Sequence, residues 1–94
     1  MLEVRIMEGG TIHLLGRFDA SQADAARQAL SGAVETTTFD LSELDYISSA
    51  GLGVLIEVYK RLHGRGQTMR LVKMKPNVRA VFRYAGLDKV LTIE

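Results

Sequence analysis

The sequence predicts an α/β fold: a mostly parallel sheet with an antiparallel hairpin at its N-terminal edge, and helices covering the sheet, in the order β-β-α-β-α-β-α-β. Three observations predict it. Short β-rich runs alternate with longer runs of helical period, which implies parallel strands joined by right-handed crossovers. The first two β-rich runs are separated only by "EGG", the spacing of a hairpin. Caps, glycines and the single proline fall at the junctions between runs.

The elements follow in order. "LEVRIM" places Leu2, Val4 and Ile6 on one face and Glu3 and Arg5 on the other, as a half-buried strand does. "TIHLLGRF" is its hairpin partner. "DASQADAARQALSG" is a helix with Asp19 or Ser21 near its N-cap and Gly32 as its stop. Its apolar positions Ala23, Ala26, Leu30 and Ala33 are mostly small, so it lies close to what it covers. "TTTFDL" is a β-rich third strand, and "SELDYI" reads as a loop. A helix from Ser49 to about His63 carries the stripe Leu52, Leu55, Ile56, Tyr59 and Leu62. "TMRLVKM" is a fourth strand, flanked by Met69 and Met74 as packing residues. Pro76 opens a third helix that Gly86 closes, with Val78, Val81, Phe82 and Ala85 as its buried stripe. "KVLTIE" is a last short strand.

The 94 residues make one domain, 1–94, with a modest core. No cysteine is present, which excludes disulfides and thiolate zinc sites. His13 and His63 lie far apart, so no metal site is expected, and no cofactor. The net charge of +1, with acids and bases mixed along the chain, argues against direct nucleic-acid binding. No apolar run approaches the roughly 20 residues of a membrane span. No signal peptide is evident, and the expected location is the cytoplasm. Lys73, Lys75, Arg79 and Arg83 read as a solvated basic edge.

The stretch that calls for explanation is "DYISSAGLGVLIEVYKRL", Asp45 to Leu62. Ser48 is a natural N-cap, which places Ser49 at the first helical position. Gly51 and Gly53 follow, each costing up to about 1 kcal/mol relative to alanine in an exposed helix. A cap explains Ser48 and leaves the second serine and both glycines unexplained. The stretch lacks the phosphate-binding GxxxxGK[ST] and GxGxxG patterns. It also lacks a GxSxG elbow, and neither histidine is placed as a base for a serine nucleophile. No catalytic residue is assigned. On a helical wheel Gly53, Val54, Glu57 and Arg61 point away from the stripe, with Val54 as an outward apolar residue. Asp19 and Asp40 each follow a strand and are expected at the same end of the sheet as Ser49, where two acids could hold a partner's basic residue or a nucleotide's magnesium.

"DLSELDYISSAGLGVL" resembles the signature of STAS domains, which comprise the bacterial anti-sigma factor antagonists and related domains at the ends of sulfate transporters. Asp40, Ser42, Tyr46, Ile47, Ser49, Gly51 and Leu52 fit it. "LLGRFDAS" resembles the second signature of that family through Gly16 and Asp19. The order of elements matches as well, over essentially the whole chain. In that family a serine that follows an acidic residue in this loop is phosphorylated by a partner kinase, and Ser49 occupies the matching position. Ser48 stands where the family commonly has Asp, and Ala50 where it often has Ser.

The resemblance implies a non-enzymatic anti-sigma factor antagonist. Unphosphorylated, it would bind an anti-sigma factor that is a serine kinase; a phosphate on Ser49 would break the contact. Asp19, Asp40, Ser48, Ala50, Gly51, Gly53, Val54 and Glu57 would form the partner- or ligand-binding surface. Two other classes stay open: a non-phosphorylated STAS adaptor subunit of a transport or lipid-trafficking assembly, which Ser48 in place of Asp favours, and a module binding a nucleotide or other small ligand. A homodimer through the first strand is also left open.

Overall fold

The computed structural model describes all residues, 1–94. Its elements are β1 (Leu2–Ile6), β2 (Thr11–Phe18), α1 (Ala23–Ala29), β3 (Thr37–Asp40), β4 (Leu44–Ile47), α2 (Ser49–His63), β5 (Met69–Val72), α3 (Pro76–Tyr84) and β6 (Thr92–Ile93). The α/β class and the mostly parallel sheet agree with expectation. β1 and β2 pair antiparallel, and every other pairing is parallel.

The segment read as a loop, "SELDYI", contains β4. β3 and β4 both pair with β2, β3 at Thr11–His13 and β4 at Gly16–Phe18. They therefore form one line along β2, interrupted at residues 41–43. Four residues with two acids nearby carry too little alternation to be recognised as a strand. Pairing to β2 is what makes them one.

Within the β2–β4 pairing the register shifts between Gly16 and Arg17. Gly16 has φ +94°, and a Cβ there would stand 2.3 Å from the Met1 carbonyl oxygen. Only glycine fits this close approach.

The chain passes from β2 to β3, from β4 to β5 and from β5 to β6, always in the same direction across the sheet. Right-handed crossovers then carry all three helices to one face. That face holds Ile12, Leu14, Phe39, Met69 and Leu71, all buried. The alternate residues Thr11, His13, Leu15, Thr38 and Val72 remain partly exposed on the other face. The helices thus cover one face only.

α2 runs from Ser49 to His63 as its periodicity predicts. α3 starts at Pro76 and buries Val78 and Phe82, while Ala85, expected in its stripe, is exposed at the C-cap. Met69 and Met74 are buried. The basic edge is partly neutralised: Lys75 pairs with Asp45, and Lys73 lies 3.9 Å from Asp40.

Candidate functional site

The site is built where β4 turns into α2. Ser48 has an extended backbone (φ −93°, ψ 173°), and its Oγ accepts a hydrogen bond from the Gly51 N–H at 3.2 Å. This is the N-cap geometry. The Ser48 N–H donates to the Phe18 carbonyl at 2.9 Å, which ties the cap to the end of β2. Ser49 is the first helical residue and is exposed; Ala50 is half-buried and packs on the core. The cap thus holds the turn still while leaving the Ser49 hydroxyl in solvent. The first N–H groups of the helix also lack intrahelical acceptors.

The two glycines have different jobs. A Cβ on Gly51 would lie 2.9 Å from the Phe18 carbonyl oxygen and 2.9 Å from Ile47 Cγ1. Gly51 is buried, so its missing side chain serves internal packing and not the approach of a partner. A Cβ on Gly53 would meet nothing within 4 Å. Only Gly53 keeps an outer surface low.

The outward face of α2 differs from the one the wheel assigned. Val54 is 1% exposed and belongs to the core, as does Val58. The physical reason is α1. It lies beside α2, and Arg27 lines a common groove with Val54, Glu57, Val58 and Arg61. Its buried Ala23 and Ala26 are small enough for close approach. The buried arc of α2 is therefore wider, and turned toward α1. Ile56, assigned to the core stripe, is partly exposed and lies outside the core cluster. The solvent-facing row is Ser49, Gly53, Ile56 and Lys60, at i, i+4, i+7 and i+11. Sequence reasoning missed Ile56 and Lys60; helical spacing puts both on the row of Ser49, and only the packing of α1 shows that this row is the outer one.

Glu57 and Arg61 are engaged along the α1 seam. Glu57 accepts from Arg27 Nε and Nη2 at 2.9–3.1 Å. That hydrogen bond holds the Glu57 carboxyl below its ordinary pKa. Arg61 donates to the carbonyls of Leu30, the C-cap of α1, and of Ser31 just beyond it.

Asp19 sits beside the cap, one residue after Phe18. Its carboxylate accepts from the Ser21 hydroxyl at 2.6 Å and the Ser21 N–H at 3.1 Å. The hydroxyl contact leads in keeping its pKa low.

Asp40 is not brought to the same place. It pairs in register with His13, five residues before Phe18 on β2, about 17 Å along the strand. The expectation that both acids share an end fails because the chain continues past Asp40 through β4. Asp40 is only 9% exposed and accepts from the Ser42 N–H at 2.9 Å, closing the break between β3 and β4. Lys73 Nζ and His13 Nε2 lie 3.9 and 3.7 Å from its Oδ2. Burial works to raise the Asp40 pKa, but the Ser42 hydrogen bonds, His13 and Lys73 outweigh it, and the net direction is down.

The family described as "Mlab, STAS domain" matches residues 5–93. This chain belongs to the STAS-domain family. A relative in Bordetella bronchiseptica, BtrV, provisionally named an anti-sigma factor antagonist, is 33% identical over 84 residues, 85% of this chain and 72% of that one. The structure of an anti-sigma factor antagonist from Mycobacterium paratuberculosis superposes with a TM-score of 0.82 at 26% identity, covering 99% of this chain and 83% of the other. The Bacillus protein SpoIIAA shares the fold at 20–21% identity. Its TM-scores are 0.79 for the unphosphorylated form (100% of this chain, 88% of that one) and 0.72 for the phosphorylated form (100% and 91%).

In this STAS chain the signature residues divide by role. Gly16, Asp40 and Gly51 are consumed by backbone geometry and packing. Ser49, Gly53, Ile56 and Lys60 face solvent on one side of α2, with Asp19 next to the cap.

Proposed function

We propose that this STAS protein is a non-enzymatic anti-sigma factor antagonist, and that its contact with a serine-kinase anti-sigma factor is controlled by phosphorylation of Ser49. One observation carries the reading: Ser49 is an exposed hydroxyl at the first position of a 15-residue helix whose cap is a different residue. Phosphorylation therefore leaves the cap intact. Phosphate adds about −1.5 to −2 charges at neutral pH. The helix dipole and free N–H groups accept that charge at this position, so the modified protein stays folded. The effect falls on the surface in front of it. Gly53 admits a partner close to the helix, Ile56 supplies apolar contact, and a dianion one turn from Gly53 and two turns from Ile56 opposes burial of that patch. Support comes from the named antagonists it resembles, and from SpoIIAA, solved both with and without phosphate.

Ser48 in place of the family's acidic residue favours a second reading, an adaptor that uses the same face without a phosphate cycle. Intact-mass spectrometry of the protein from its native host, with peptide mapping of residues 45–60, separates the two. A phosphate on Ser49, absent from Ser49→Ala, is the expected result. A chain unmodified across growth and stress conditions, in a stable complex, overturns the switch and leaves the adaptor.

A further inference from the structure

The free edge of β1 is complementary to itself. The Met7 N–H donates to the Thr11 carbonyl at 2.8 Å, and the Arg17 N–H donates to the Met1 carbonyl at 2.9 Å. With the register running from Leu2↔Gly16 to Ile6↔Ile12, those bonds turn the odd-numbered residues of β1 toward β2. The N–H and C=O groups of Leu2, Val4 and Ile6 point to the unpaired edge. Consistent with this, the Leu2 N–H has found Gln22 Oε1 at 3.1 Å. β1 pairs with no strand but β2, and no proline or bulge interrupts it. Such an edge is a template for a second strand. Next to it Ile6 is 68% exposed, an apolar side chain without cover.

We propose that β1 pairs antiparallel with β1 of a second copy of this chain, about a two-fold axis at Val4. In that register Val4 faces Val4, Leu2 faces Ile6, and Glu3 faces Arg5, the last two twice by symmetry. Val4 and its counterpart exchange outward hydrogen bonds. The two Glu3–Arg5 pairs fall at the closely spaced, non-hydrogen-bonded positions, where opposite charges attract and like charges repel most. Glu3 and Arg5 are each 56% exposed and pair with each other on one face of the strand at 2.5 Å; the cross-axis contacts extend that pair into a cluster of four alternating charges. Ile6 gains Leu2 of the second copy as cover, and the Leu2 N–H exchanges Gln22 for the carbonyl of the second copy's Ile6. A two-fold axis at Leu2 or Ile6 would break both ion pairs. α2 packs over β4 and β5, away from this edge, so the pairing is independent of the Ser49 switch.

Sedimentation velocity on the full chain, from about 1 to about 300 µM, tests it. Wild type is expected to become dimeric within that range. Glu3→Arg or Arg5→Glu alone places two like-charge pairs across the axis and shifts the dimer midpoint at least about tenfold upward. The double variant Glu3→Arg/Arg5→Glu restores it. Val4→Pro removes an N–H that β2 does not use and gives a monomer. Thermal melts by circular dichroism establish that each variant is folded. A wild type that stays monomeric throughout, single swaps that leave the dimer intact, or a double swap that fails to restore it overturns the proposal.

Discussion

Gly51 lies against Phe18 so closely that a Cβ would stand 2.9 Å from its carbonyl oxygen and 3.0 Å from its ring. The backbone carbonyl cannot move freely, because it accepts the Ser48 N–H of the cap. Gly51→Ala is therefore expected to destabilise by about 1–3 kcal/mol through overpacking, in spite of the higher helix propensity of alanine. Gly53→Ala, with open space around it, is expected to stabilise by up to about 1 kcal/mol. Chemical denaturation of the two variants checks the pair; equal effects would contradict the assigned roles.

The two serines separate in the same way. Ser48→Ala removes the acceptor of the Gly51 N–H and should cost about 1 kcal/mol. Ser49→Ala removes an exposed hydroxyl that makes no hydrogen bond within the chain and should change stability by less than about 0.5 kcal/mol. Urea midpoints of both variants measure this. A large loss at Ser49 would mean that its hydroxyl has a structural duty.

Val54 and Ile56 exchange the roles that a helical wheel assigns them. Val54→Ala empties space in the core and should cost about 2 kcal/mol. Ile56→Asp introduces a charge on the outer row and should leave the fold within about 1 kcal/mol of wild type. The same change is expected to weaken capture of the partner from native-host extract at least about tenfold, the scale of a modest interface contact. Normal capture by a folded Ile56→Asp protein would move the interface away from α2.

Asp40 predicts a pH dependence. Its folded pKa lies below the ordinary carboxylate value, so its ionised form stabilises the fold at neutral pH. That contribution is complete above the unfolded value of about 3.9 and is lost as pH falls through the folded one. Asp40→Asn should cost about 1 kcal/mol at pH 7, from the weakened bond to the Ser42 N–H. The difference from wild type should shrink in acid. Denaturation curves at pH 7 and near pH 3 test it; a constant difference would assign the loss to packing.

The sequence by itself determined the local elements apart from β4. Alternation in "LEVRIM", the Ser48 cap with its following helical period, Pro76 and Gly86 are properties of neighbouring residues, and the start of α2 at Ser49 and its end near His63 follow from them. It also placed Ser49 at the mouth of the helix, because capping is local chemistry. Tertiary structure alone decided which side of that helix is outside. A wheel reports that an apolar arc exists; whether Val54 or Ile56 lies within it depends on α1, held alongside by Arg27–Glu57 and by Arg61 on the carbonyls that follow its last residue. It likewise decided that Gly51 packs inward while Gly53 faces out, and that Asp40 closes a break in the sheet instead of joining the site. Those assignments depend on β4 pairing with β2, a contact between residues some thirty positions apart, and no local pattern encodes it.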